Sequence, residues 1–370
     1  MSSIIRIDRR RQAGLTLVEL MVSLVLALVL TAGIVNVFLG NRVTYEFNEG
    51  LSRIQENARY ALDHIAYNTR MAGYRGCISD VAIFNNLSTP SSFRDDVENG
   101  ITGFDSNGTG DGADYAAAAT NPAASTDENA WTPSLPTELD GLVIPGSDVL
   151  VLRSVSGAGM SLVSPFTNAA QLFVSTPHDF KIGEILVVTD CHKASIFQVT
   201  NIDSTGENVV HSNGGGTTFV PGNALPNWPS EQDYGLGAEV ARLQAFAFYI
   251  GVGANGAPAL FQRRLALQGA STAGFQSEEL VANVETLQVR YGLDTDNNEG
   301  VNSWVPASGV TDWLEVVSVE ISLLARAPEE YGTEADTADY TLGSMTFDPV
   351  DDRRLRQVFS TTVGVRNRLP

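Results

Sequence analysis

Residues 13–40 read AGLTLVELMVSLVLALVLTAGIVNVFLG, and no charged residue interrupts the run from Leu20 to Asn41. As a helix, Leu20–Leu39 is about 30 Å long, the thickness of a bilayer core. In front of it stands MSSIIRIDRRRQAG (1–14), made basic by Arg6, Arg9, Arg10 and Arg11. Arginines clustered before a span hold that end in the cytoplasm, which sends the rest of the chain across the membrane. A cleaved secretory signal would have a shorter apolar region with a small-x-small site after it, and this sequence has neither. A plain signal anchor leaves Glu19 unexplained. A lone carboxylate near the start of an apolar span is costly in lipid and marks function.

Past Gly40 the pattern becomes amphipathic. Leu51, Ile54, Ala58, Ala61, Leu62 and Ile65 recur at steps of three and four, the signature of one apolar helical face. Glu49 and Arg53, like Arg59 and Asp63, stand four apart and belong on the wet side. Gly73 is a stop signal. The spacing predicts one helix from about Thr16 to about Ala72, apolar all round in its first half and striped in its second, with the stripe packed on a sheet.

After Gly73 the texture changes. Residues 85–136 are rich in Gly, Ser, Asn, Asp and Ala and read as an irregular excursion, with a helical turn expected at Tyr115–Thr120. Runs of strand type then follow at 148–155, 171–176, 184–190, 195–202, 240–252, 259–266, 284–293, 313–325 and 357–365, separated by turn residues. The expected fold class is α+β: a long N-terminal helix behind a mainly antiparallel sheet. The implied organisation is a leader (1–14), a membrane span (15–39), an amphipathic continuation (40–72) and a β-rich head (73–370).

The chain of 370 residues has a net charge of −20, and the leader, with four Arg and one Asp, leaves the remainder at −23. So acidic a chain is a poor binder of nucleic-acid backbone, which needs Lys and Arg to displace counterions. Its two cysteines, Cys77 and Cys191, would be free thiols in the cytosol. In an exported chain a single bridge between them would close a long loop, worth roughly 4–5 kcal/mol in the chain-entropy account. Sequence alone leaves both states open.

No catalytic constellation emerges. GVGANG (251–256) fits the dinucleotide fingerprint only if a helix follows; APALFQRR reads as a strand, so the segment is a hairpin turn. Asp294, Asp296 and Asn298 offer hard oxygen ligands at alternating positions, as at the opening of a calcium loop. Against that, Gly300 comes one place late and Val305 stands where the closing Glu should be; the competing reading is a polar turn. The four histidines (His64, His178, His192, His211) form no metal or nucleophile motif.

The run Ala13-Gly14-Leu15-Thr16-Leu17-Val18-Glu19 resembles the prepilin motif of type IV pilins and type II secretion pseudopilins. The resemblance implies a membrane peptidase that cuts after Gly14 and methylates Leu15. Glu19 is then the fifth mature residue, where the family carries its assembly glutamate. Leu15 departs from the more usual Phe. Four further stretches are similar to minor pilins of the PilW family: AGYRGC (72–77), DCHKASIFQVTNI (190–202), YGLDTDNNEGVNSW (291–304) and TTVGVRNR (361–368). The 85–136 segment carries none of this likeness.

That likeness implies a subunit held in the inner membrane with a periplasmic head before assembly, and at the pilus tip afterwards. Its implied partners are other minor pilins, the major pilin, a large tip adhesin, the prepilin peptidase and the inner-membrane assembly platform. It also implies twitching and adhesion as the supported activities, no cofactor, and a Cys77–Cys191 disulfide, since both cysteines lie in matching stretches. Two rivals stand beside this reading: a J-like pseudopilin of type II secretion, and a tip module whose 85–136 segment binds surfaces or DNA directly. An enzyme is not expected.

Overall fold

The computed structural model describes residues 14, 16–76, 81–157, 159–213, 218–298, 300–331 and 334–368. One helix, α1 (Leu17–Met71), carries the N-terminal half of the architecture. Thr16 caps it, its hydroxyl accepting the Glu19 N–H at 3.3 Å. At the other end Gly73 turns the chain out with φ +73° and donates its N–H to Arg153 O at 2.8 Å. The return strand crosses so closely there that a Cβ on Gly100 would sit 2.5 Å from the Gly73 Cα. Both positions need glycine.

The head is built from strands in chain order: β1 (Ala82–Asn85), β2 (Ile101–Ser106), β3 (Asp114–Ala116), β4 (Trp131–Thr132), β5 (Val149–Val155), β6 (Met160–Ser161) and β7 (Gln171–Phe173). Next come β8 (Ile185–Thr189), β9 (Lys193–Gln198), β10 (Asn201–Ile202), β11 (Asn208–Val210), β12 (Glu239–Val252), β13 (Pro258–Leu267) and β14 (Ala273–Ala282). The last six are β15 (Val284–Leu293), β16 (Ser303–Val305), β17 (Val316–Glu330), β18 (Tyr340–Leu342), β19 (Met345–Asp348) and β20 (Arg354–Gly364).

Among the described residues a large ten-stranded sheet runs β1-β9-β8-β12-β5-β2-β4, with β6, β13 and β14 attached through β12. The long β12 serves two neighbourhoods: Glu239–Arg242 pairs with β8, and Leu243–Phe248 pairs with β5. A four-stranded sheet, β16-β15-β17-β20, stands beside it, with Ile321 of β17 opposite Val289 and Thr361. Most pairings are antiparallel; β1–β9 and β3–β19 are parallel. The fold class is thus α+β, a long helix with a mainly antiparallel head.

The apolar stripe of α1 explains how helix and head join. Ile54 and Ala58 lie on Ala325 and Ala327 of β17. One turn on, Ala61, Leu62, Ile65 and Ala66 enter the main core with Leu150, Phe248, Leu260, Val289 and Ile321. Burying each large aliphatic contributes about 1.5–3 kcal/mol. On the opposite face of the four-stranded sheet, β18-β19-β3 covers Leu324 and Val358. There Glu285 lies between two buried arginines. Arg326 donates to Glu285 at 3.0 Å, Thr120 O at 2.6 Å and Asn121 at 2.7 Å. Arg356 holds Glu285 at 2.8 Å, Asp352 at 2.8 Å and Asp336 at 3.2 Å.

Two expectations need correction. The Tyr115–Thr120 helical turn is absent; Asp114–Ala116 is a short strand, with Tyr115 opposite Phe347. Its alanines favour helix locally, but pairing with β19 and stacking of Tyr115 on Phe347 at 5.8 Å override that preference. The 85–136 segment is also not irregular throughout. It contributes β2, whose Ile101–Phe104 pairs with β5 inside the large sheet.

Candidate assembly site

The first half of α1 has no cover of its own. Leu17 is 75% exposed and Leu39 51%, with every residue between them exposed as well. Among the described residues, burial along the helix begins only at Gly50. An apolar surface of this extent is stable only in lipid or against other apolar helices. The helix is long and apolar enough to cross a membrane.

At its tip, Thr16 and Glu19 have capping-box spacing. Glu19 is exposed in the first turn, where a negative charge also favours the helix dipole. Sequence reading singled out Glu19 but missed Thr16 as the cap; the Thr-x-x-Glu spacing was the available signal. Gly14 is described, whereas Leu15, the expected methylation position, lies outside the described residues.

The cysteines divide in the same way. Cys77 lies outside the described residues. Cys191 is at the tip of the β8–β9 hairpin, exposed, with φ 70°. Its N–H donates to Thr189 Oγ1 at 3.4 Å. Gly76, the residue before Cys77, runs against that hairpin: a Cβ there would lie 2.6 Å from Thr189 Cγ2.

The remaining candidates separate. Asp294, Asp296 and Asn298 come together in the β15–β16 turn, but they face the turn itself. Asp294 Oδ1 accepts the Asn298 N–H at 3.1 Å, Asp296 Oδ2 accepts Asn298 Nδ2 at 3.0 Å, and Asn298 Oδ1 accepts the Gly300 N–H at 2.9 Å. These hydrogen bonds close the segment as a polar turn. Among the described residues no group of three His, Cys, Asp or Glu could hold a metal. GVGANG is the β12–β13 hairpin turn, as expected. The histidines are scattered. His64 contacts Gln262, His178 bonds Gly206 O, and His211 stacks on Trp228 at 4.2 Å, where burial pushes its pKa down to about 4.

The chain matches the family model of type IV pilus-assembly protein W over residues 247–367. It matches the prokaryotic N-terminal methylation motif over residues 9–35. The chain is similar to type IV minor pilins of the PilW kind. The first match spans the end of β12 through β20, and so takes in the whole four-stranded sheet on which α1 docks. The second spans the helix tip with Glu19. YGLDTDNNEGVNSW lies inside the matched head region, while AGYRGC and DCHKASIFQVTNI lie outside both matches. No curated protein and no solved structure matches the chain. PilW proteins form a structural family of pilus assembly.

Proposed function

We propose that this pilin is cut after Gly14, methylated at Leu15, and joins other minor pilins in a complex that primes type IV pilus assembly and remains at the filament tip. The observation that carries the reading is the division of α1. Its second half is docked on the four-stranded sheet, and its first half is exposed apolar surface. Before assembly that half lies in the inner membrane with the head in the periplasm. After assembly it packs among the helices of neighbouring subunits.

In such a packed core the Glu19 carboxylate meets the new amine of a neighbour. An ion pair in low dielectric favours correct register more than it adds net stability. Glu19→Ala should therefore leave thermal unfolding of the head unchanged while reducing pilus number and recovery of the protein in sheared filaments. Wild-type piliation and incorporation in a Glu19→Ala strain would refute this role. Co-purification of the tagged full-length chain with other minor pilins from solubilised membranes tests the complex; recovery of the chain alone would count against it.

A Cys77–Cys191 disulfide belongs to the same proposal. It is supported by the approach of Gly76 to Thr189 and by the lack of a free cysteine among the described residues. Non-reducing peptide mapping should find the two peptides joined, and two free thiols in purified protein would exclude the bridge.

A further inference from the structure

Where the two sheets meet, Asp105 of β2 and Asp148, just before β5, bring two carboxyl groups together at 6% and 3% exposure. Asp148 is a latch between the sheets. One of its oxygens accepts the Ser106 N–H of the large sheet at 3.0 Å, and the other accepts the Val289 N–H of β15 at 2.9 Å. Its own N–H donates to Leu287 O at 2.8 Å, and Ser147 Oγ accepts the Leu287 N–H at 3.1 Å. Asp105 Oδ2 accepts the Ser308 hydroxyl at 2.7 Å.

One hydroxyl stands between the two carboxyls. Oδ1 of Asp105 and Oδ1 of Asp148 lie 3.5 and 3.3 Å from the same atom, Thr109 Oγ1. That hydroxyl has one hydrogen, and its nearest acceptor is Ser106 O at 2.7 Å. Both carboxyls and Thr109 line one small cavity. Two buried negative charges on either side of one hydroxyl disfavour each other, and one extra proton relieves them.

The surroundings supply no counter-charge. Arg290 and Asp111 line the same small cavity, but they pair with each other at 3.0 Å, and Arg290 also holds Glu320 at 3.4 Å. The Tyr291 hydroxyl on β15 is fully buried without a hydrogen-bond partner. Among the described residues no Lys, Arg or His forms an ion pair with Asp105 or Asp148.

We propose that Asp105 and Asp148 share one proton, and that this proton is a pH-sensitive clasp holding the helix-bearing sheet against the large sheet. Burial raises both carboxyls, and the charge of Asp105 raises Asp148 further, well above the usual carboxylate range. A carboxyl raised on folding contributes stability that is fully present below its unfolded value. That stability is lost as pH rises through the folded value. The clasp therefore tightens on acidification and loosens in alkali, the reverse of an arginine-paired carboxylate. Because β15 belongs to the sheet on which α1 docks, loosening the clasp frees the helix-bearing part of the head from the rest.

The test is amide hydrogen exchange at Ser106 and Val289 in the full-length protein in detergent micelles, corrected for intrinsic exchange. In the wild type, opening should rise by up to about tenfold per pH unit as the pH climbs through the titration of the pair. Asp105→Asn mimics the protonated carboxyl and, by removing the charge that faces Asp148, should flatten that dependence at near wild-type stability. Asp148→Asn, whose amide nitrogen would face backbone N–H donors, should open the seam at every pH. Opening that does not change with pH in the wild type, or an Asp105→Asn variant with the wild-type slope, overturns the proposal. Should Asp105→Asn not fold, infrared spectroscopy of the wild type decides. A protonated carboxyl band at neutral pH that titrates away in alkali supports the clasp, and its absence overturns it.

Discussion

Replacing Arg356 with methionine should destabilise the head by about 3–5 kcal/mol, the usual cost of stripping one partner from a buried charge network. The guanidinium is 0% exposed and meets Glu285, Asp352 and Asp336 at 2.8, 2.8 and 3.2 Å. Burial alone would lower its pKa, but Glu285 and Asp352 outweigh that and raise it. Without it, Asp352 and Asp336 lose a partner and Glu285 keeps only Arg326. Arg356→Lys should recover part of the loss, since a point charge cannot reproduce the fork on Glu285. Denaturant melts of the full-length protein measure both. An Arg356→Met loss below about 1 kcal/mol would mean that water already reaches these carboxylates.

The second large effect is expected at the joint between helix and head. Ile65 is 0% exposed in the core cluster that spans α1 and both sheets. Ile65→Ala should cost about 2–5 kcal/mol, the transfer of the lost methyls plus the cavity they leave. Tyr67, two residues away and 67% exposed, is the control. Tyr67→Ala should change stability by no more than about 0.5 kcal/mol. Equal effects at the two positions would mean that the helix does not dock through this stripe.

Ile65 also marks how far the sequence carried. The period of three and four that runs through Ile54, Ala58, Leu62 and Ile65 is a local property, and it predicted the helix and its buried face. The helix bounds of Leu17–Met71 fall one residue inside the expected Thr16–Ala72. Strands with continuous apolar runs were equally legible: β15 was expected at 284–293 and occupies Val284–Leu293.

Strands that owe their place to distant partners were not legible. β14 carries Gln276, Glu278 and Glu279, which break its apolar pattern; among the described residues its strand partner is β13, at the end of the path through β12. β2 contains Gly103 and Asp105, both poor strand formers. Each has a tertiary reason: a Cβ on Gly103 would lie 1.9 Å from the Tyr291 hydroxyl, and Asp105 faces Ser308. The assembly site divides along the same line. Glu19 stood out as a charge in an apolar run. Thr16 as its cap was legible in the Thr-x-x-Glu spacing, whereas the Asp105–Asp148 pair depends on geometry that no single segment encodes.

The proposed role in assembly hangs on cleavage after Gly14. Mass spectrometry of the protein purified from a strain with an active prepilin peptidase tests that claim most directly. The account predicts a chain that begins at Leu15 and carries one added methyl group on its amine. A chain that still begins at Met1, with the arginine-rich leader intact, would contradict it.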